Sequence, residues 1–348
     1  MMQNPAYACD PGAPSLKEAF AGRLKIGAAI NSWNLDPATP ACSAILRQFN
    51  ILTLENESKP IMVQPEEGRF VFDKVDRFVD FGEKNGITLR GHTLVWHGQC
   101  PRWFFCEEDG SPASKEKLLE RMRTHIRTLV GRYKGRVDRW DVVNEVLTDE
   151  GGMRNSLWYQ IAGEDFIAEA FRAAHEADPA ARLVINDYNL ESHDAKADAM
   201  FALVKRLLEA GVPVGGVGMQ MHLGPATDLE KLKANAEKLA SLRQFSPDLK
   251  LEATELDVSA FRFEDPSETL EWTDEREAAF RAFYTELFRF YLKLADEGKL
   301  DAVIFWGLHD GVSWLNGFPR RRRNVPLLIG RDLVLKPAFY DVIGTAKG

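Results

Sequence analysis

Two glutamates, Glu145 and Glu255, stand where apolar stretches of this chain run out. The first closes Trp140-Asp141-Val142-Val143-Asn144-Glu145, which reads as a buried strand ending in an amide and a carboxylate. The second lies in Thr254-Glu255-Leu256-Asp257, at the end of an apolar run over residues 249–258. A charge at the end of a buried strand costs too much desolvation to be packing filler. Two such carboxylates, 110 residues apart, fit the acid and nucleophile of glycoside cleavage. One must be protonated to give a proton to a leaving oxygen, and the other ionised to attack an anomeric carbon. Like charges at close range push two pKa values apart and so supply that division of labour. The competing reading of each glutamate alone is a rim ion pair, with Lys59 as partner.

Side chains of matching chemistry surround the pair. In a strand, residues two apart share a face, so Glu255 and Asp257 should both face inward, as should Gln220 and His222. His222 can then bridge Asp257 and Glu255, one ring nitrogen donating to each, and keep Glu255 ionised. The bland alternative is a core histidine satisfied by one carbonyl. Asn144 is placed to hydrogen-bond a sugar 2-hydroxyl, a contact that strengthens in the transition state. Trp96, Trp306 and Trp314 offer flat faces to pyranose rings, whereas Trp33, Trp158 and Trp272 read as helix or loop packing and Trp140 as core.

These residues need elements to hold them. Short apolar runs at 24–30, 51–56, 88–96, 137–145, 182–189, 214–222, 249–258 and 301–308 alternate with amphipathic stretches such as 115–133, 166–177, 195–210, 229–244 and 275–296. Strands that are nearly all apolar, rather than alternating, are those covered on both faces. Eight strand–helix units imply an α/β fold, a closed (β/α)₈ TIM barrel, with its chemistry at the C-terminal strand ends. Polar and aromatic residues do cluster there: Glu55, Asn56 and Lys59 after the second strand, and His92, Trp96 and Gln99 in or after the third. Further ones are Gln220 and His222 on the sixth strand, Glu255 and Asp257 on the seventh, and Trp306 and Trp314 at and beyond the eighth. No linker divides the chain. A single catalytic domain over 20–348 is expected, preceded by an N-terminal extension over 1–19.

The bulk properties exclude some classes. The 348 residues are 45% hydrophobic and 28% charged, with a net charge of -8; nucleic-acid binders need a basic face. No run of about 18 apolar residues predicts a membrane span. The first twenty residues lack the charged and apolar regions of a signal peptide. A secreted or periplasmic protein whose leader is absent from this chain is expected, with a cytoplasmic one as the alternative. Cys9, Cys42, Cys100 and Cys106 permit two disulfides, Cys100 with Cys106 among the options, or four buried thiols. No cysteine or histidine spacing fits zinc, so no metal or other cofactor is expected. The run Arg320-Arg321-Arg322-Arg323 reads as a solvated loop; the sharper reading is contact with acidic groups on a polymer.

The motifs ENESKP, GHTLVWHGQCPRWFF, RWDVVNE, INDYN, GVGMQMH, EATELDV and FWGLHDGVSW occur in this order between Glu55 and Trp314. With them the chain resembles glycoside hydrolase family 10, the endo-1,4-β-xylanases, over about residues 20–345. The resemblance implies a retaining barrel enzyme that cuts xylan and xylo-oligosaccharides internally and without a cofactor; a monomer is expected. It implies Glu145 as acid/base and Glu255 as nucleophile, with His222 and Asp257 orienting the latter. It also implies a sugar site of Glu55, Asn56, Lys59, His92, Trp96, Asn144, Gln220, Trp306 and Trp314. Glu55, Asn56 and Lys59, with Gln99, would grip the sugar on the non-reducing side. The family commonly has a larger apolar residue at Ser58, Gly at Met221 and Thr at His309, which puts subsite detail in doubt. Two other readings stand beside it: a barrel that binds polysaccharide or protein without cutting it, and the same chemistry on another β-glycan such as cellulose.

Overall fold

The apolar runs fold as the staves of a barrel in the computed structural model, which describes residues 6–347. The strands are β1 (Lys25–Ile30), β2 (Ile51–Leu54), β3 (Thr88–Gly91, resuming at Val95–Trp96) and β4 (Arg139–Asn144). They continue with β5 (Arg182–Asp187), β6 (Gly216–Met219, resuming at His222–Leu223), β7 (Lys250–Val258) and β8 (Leu300–Phe305). Each pairs in parallel with the next, and Lys25 opposite Ala302 closes β1 onto β8. Helices α1 (Pro40–Gln48), α2 (Asp73–Asn85), α3 (Lys115–Arg132), α4 (Asp165–Ala177), α5 (Asp194–Glu209), α6 (Leu229–Ala240), α7 (Asp274–Asp296) and α8 (Pro337–Thr345) follow the strands in turn.

Local chemistry starts and stops these helices. Ser114 Oγ accepts from the Lys117 amide at the head of α3, whose Leu118, Met122, Ile126 and Leu129 then face the core; such a cap is worth about 1 kcal/mol. Thr273 caps α7 in the same way, and Asp274, Glu275 and Glu277 complement the helix dipole. Gly86 ends α2 in a left-handed conformation.

Two expected strands are interrupted. β3 stops after Gly91, and the His92–Thr93 peptide is cis. β6 stops at Met219, and Met221 is left-handed at φ 62°. Gly91 itself is obligatory, because a Cβ there would lie 2.0 Å from the Trp140 ring.

The barrel interior is not purely apolar. Arg90, Arg139, Asp141 and Glu252 are all at least 98% buried. Arg90 pairs with Asp141 and Glu252. Arg139 Nη1 lies 3.0 Å from Glu252 Oε1, and Arg182 Nη1 lies 3.3 Å from it. Asp301 pairs with both Arg139 and Arg182 at the open end of the cluster. Burial alone would raise the Asp141 carboxyl, but Arg90 and His92 outweigh it and hold it below the usual range.

Residues 6–19 pack onto the barrel. Ala8, Ala13 and Leu16 join the hydrophobic core, and the Ala8 amide donates to Leu333 O at 2.8 Å. All four cysteines are free thiols, so Cys100 and Cys106 are unpaired. No helix among the described residues is long and apolar enough to cross a membrane. Two surface readings are corrected. Trp33 is not packed but 60% exposed, and Arg322 lies buried over the Phe261 ring, while Arg320, Arg321 and Arg323 are exposed.

Candidate active site

β4 ends at Asn144, and Glu145 turns off the strand with φ 58°. A non-glycine residue there carries about 1–3 kcal/mol of strain, and the turn sets the Glu145 carboxylate among donors from β3 and β6 as well as from Asn144 beside it. Oε2 accepts from Trp96 Nε1 at 2.9 Å, and Oε1 from Gln220 Nε2 at 3.2 Å and Asn144 Nδ2 at 3.3 Å. His97 Nε2 lies 3.8 Å from Oε2. Burial is the main cause that lowers the His97 pKa, against the pull of Glu145.

Glu255 sits deeper, buried on β7. Its Oε1 accepts from Asn186 Nδ2 at 2.8 Å, and its Oε2 is 3.3 Å from His222 Nε2. The other His222 nitrogen, Nδ1, is 3.1 Å from Asp257 Oδ2 but out of line for a hydrogen bond. The bridge from Glu255 to Asp257 is therefore one of charge on that side rather than an aligned donation. Asp257 Oδ2 takes its hydrogen bond from Trp314 Nε1 at 2.8 Å.

These contacts fix charge states. Burial opposes a charged His222, but Asp257 and Glu255 outweigh it and push the pKa up to about 10. Burial likewise opposes a charged Glu255, and His222, helped by His92, holds its carboxyl below the ordinary glutamate value. The site thus contains an ionised carboxylate against an imidazolium. His222 stabilises the fold fully below pH about 6.5, its unfolded value, and loses that contribution as pH rises through about 10. Replacing His222 by glutamine is expected to move the acid limb of kcat/KM upward, because burial then acts on Glu255 with less opposition. Initial rates between pH 3 and 7 check this, and an unmoved limb would contradict it.

The two glutamates are linked by amides. Asn186 Nδ2 donates to Asn144 Oδ1 and to Glu255 Oε1, both at 2.8 Å, and Asn186 Oδ1 accepts from Thr254 Oγ1 at 2.6 Å. A Cβ at Gly218 would lie 2.2 Å from Asn186 Oδ1, so the neighbouring strand must carry glycine to leave the amide room. In the sequence Asn186 stands only as part of the motif INDYN, near the end of the apolar run over 182–189, with no role to read from it. Its alignment with Asn144 across β4 and β5 depends on register, which spacing alone does not disclose. Asp141 was likewise read only as strand; it holds His92 through Nδ1 at 2.9 Å.

One flank of the rim is polar. Lys59 Nζ donates to Gln99 Oε1 at 2.8 Å and Asn56 Oδ1 at 3.1 Å, and lies 4.8 Å over the Trp96 ring. It pairs with these amides rather than with either catalytic candidate, so Lys59 is not the ion-pair partner of the glutamates. Burial lowers the Lys59 pKa, with Glu255, Glu55 and Glu145 opposing. Glu55 Oε2 accepts from Asn31 Nδ2 at 2.9 Å. The other flank is aromatic. Trp306 meets the His92 ring edge-on at 5.2 Å, and Trp314 lies 4.9 Å from the His222 ring. All fourteen residues singled out from the sequence therefore stand at one end of the barrel. At the unusual positions, Ser58 Oγ donates to His92 O, Met221 holds a left-handed turn, and His309 Nδ1 accepts from the Gly311 amide.

Known proteins are similar to this chain over nearly all of its length. An exoglucanase, XynX of Acetivibrio thermocellus, is 39% identical over 344 residues, which cover 96% of this chain and 30% of that protein. The chain thus spans under a third of the length of this relative. An endo-1,4-β-xylanase of Geobacillus stearothermophilus is 42% identical over 95% of this chain and 98% of its own length. The solved intracellular xylanase of Thermoanaerobacterium saccharolyticum superposes with a TM-score of 0.86 at 40% identity, covering 96% of this chain and 99% of that one. The model of glycosyl hydrolase family 10 matches residues 15–345, and with the barrel and its carboxylate pair in place, the chain belongs to that family.

Proposed function

We propose that this chain hydrolyses internal β-1,4-xylosidic bonds of xylan by a retaining double displacement. The observation that carries the reading is a buried Glu255 held ionised by His222 and tied through Asn186 and Asn144 to a half-buried Glu145. Glu255 attacks the anomeric carbon, and the bond to the glycosidic oxygen breaks as Glu145 gives that oxygen its proton. The product is a covalent glycosyl–enzyme and a shortened chain. Glu145 then takes a proton from water, whose oxygen attacks the same carbon and frees Glu255. The steps balance with water alone and call on no cofactor. His222 and Asp257 keep the nucleophile charged and aimed. Asn144 meets the sugar 2-hydroxyl, while His92, Trp96, Gln220, Trp306 and Trp314 line the pocket of the sugar being cut. Glu55, Asn56, Lys59 and Gln99 grip the next sugar on the non-reducing side.

Hydrolysis of xylohexaose tests this. Proton NMR should show the β-anomer appearing first, and mass analysis should show internal cuts. First appearance of the α-anomer, or stepwise release of single xylose units, would overturn it. The relative named an exoglucanase keeps β-1,4-glucan as a second substrate reading, and a parallel assay on carboxymethylcellulose separates the two. A polymer too large to enter a cell points to work outside the cytoplasm. Faster turnover of xylobiose and xylotriose than of xylan would favour a cytoplasmic role instead. Exposed Arg320, Arg321 and Arg323 lie beyond Phe318, which stacks on Trp314 at 4.8 Å. Their replacement by alanine is expected to slow cleavage of glucuronoxylan about three- to fivefold, the scale of exposed charge pairs, and to leave plain xylan unaffected. Equal effects on both polymers would rule out contact with uronyl groups.

A further inference from the structure

We infer that Arg154 is a positioning residue for Glu145, holding its carboxylate at the rim from behind through the backbone. After β4 the chain doubles back. Leu147 pairs with Met153, the Thr148 amide donates to Gly152 O at 2.8 Å, and the Arg154 amide donates to Val146 O at 2.8 Å. This hairpin brings the Arg154 guanidinium under the residue that began it. Nε donates to Glu145 O at 2.7 Å, and Nη2 donates to Leu147 O at 3.2 Å and to Tyr188 Oη at 2.6 Å. The Glu145 amide donates to Asn186 O at 2.9 Å. Both backbone groups of the left-handed Glu145 are thus held by partners outside its own strand, and one of the two is a side chain.

The Arg154 clamp has its own foundation. Asp187, at the end of β5, accepts the Leu147 amide at Oδ2 (3.2 Å) and the Tyr188 amide at Oδ1 (3.0 Å). Lys196 on α5 is fully buried. Its Nζ lies 2.9 Å from Asp187 Oδ1, 3.2 Å from Asp149 Oδ1 and 3.5 Å over the Tyr188 ring. Helix, strand end and hairpin are therefore bound into one block behind the acid–base group. A planar fork that reaches two carbonyls and a phenol in fixed directions is something arginine provides and lysine does not. Released from it, Glu145 O loses its partner, the left-handed turn relaxes, and the carboxyl drifts from Trp96 and Gln220.

The inference rests on Glu145 being the acid/base, and leaving-group dependence tests it. In Arg154→Met, kcat/KM on xylan is expected to fall about 100-fold, the cost of a misplacement near 1 Å. On 2,4-dinitrophenyl xylobioside, whose phenolate departs without a proton, kcat/KM should stay within about threefold of wild type, because that first step needs no acid. Its second step still needs a base. Azide attacks without one, and should therefore raise turnover of this substrate in the variant and not in wild type. Tyr188→Phe, which removes only the oxygen that receives Arg154 Nη2, should show the same pattern more weakly, and Arg154→Lys should restore part of the loss. Equal losses on both substrates, or an unchanged rate on xylan in both Arg154→Met and Tyr188→Phe, would overturn the positioning role. Glu145→Ala is assayed beside them. If it shows no leaving-group dependence, the acid–base assignment itself falls. If it shows the dependence and Arg154→Met does not, only the role of Arg154 falls.

Discussion

Glu255→Ala is expected to lower kcat on xylan by about 10⁵-fold, the scale on which enzymes lose activity with their nucleophile, while the protein stays folded. No neighbouring carboxylate can substitute. Asp257 is engaged by Trp314 and His222, and Glu145 stands on the acid side of the bond. The shortened side chain leaves room beside Asn186 and His222. Azide entering there should attack the anomeric carbon from the face that Glu255 vacates, with Glu145 still protonating the departing oxygen. Because that is one displacement rather than two, the recovered product should be the α-glycosyl azide. NMR of the product checks it. Native activity persisting in the variant, or a β-azide, would contradict the assignment of nucleophile. The opposite stereochemistry belongs to loss of Glu145, where azide intercepts a glycosyl–enzyme already inverted once.

Glu252→Gln is expected to cost about 3–5 kcal/mol of folding free energy, the penalty for breaking a buried ion pair from one side. The glutamine matches glutamate in volume but turns an amide donor toward Arg90 or Arg139, both buried and both paired to Glu252 in the native protein. Urea unfolding at pH 7 measures the loss. A change below about 1 kcal/mol would mean that water reaches the cluster. The effect should also extend to catalysis. Arg90 holds Asp141, Asp141 holds His92, and the ring of His92 packs against Trp306. A loosened Arg90 should therefore raise KM on xylan as well as lower stability.

The site was more legible than the scaffold beneath it. Strands covered on both faces are nearly all apolar, so their C-terminal ends stand out wherever Glu145, Glu255 or Trp306 interrupts the run. Period-2 spacing placed Gln220 with His222 and Glu255 with Asp257 on one side. It could not show that Met221 reaches this by a left-handed turn that breaks the strand. Arg90 and Asp141 are 51 residues apart, and Arg90 and Glu252 are 162 apart. Each looks like a lone charge in an apolar strand until the ring closes and brings them together. Asn186 needed the register of β4 against β5, and Arg154 needed the hairpin that folds it back. The arginine run misled at one position: Arg320, Arg321 and Arg323 are exposed as charge predicts, whereas Arg322 is buried against the Phe261 ring of the segment after β7.

The central cluster also bears on whether this barrel could be divided. Cut between β4 and β5, the first half keeps Arg90, Arg139 and Asp141, a surplus of one positive charge among the buried groups that is offset only by the half-exposed Asp138 beside Arg139. The second keeps Arg182, Glu252 and Asp301, a surplus of one negative. The second fragment cannot neutralise its own interior, the first does so only with a carboxylate at the surface, and each would expose buried charges along with the apolar faces of its strands. Separately expressed halves should therefore be insoluble or disordered alone, yet complementary in charge as well as shape. If they recover activity, it should be by mixing during refolding rather than after it.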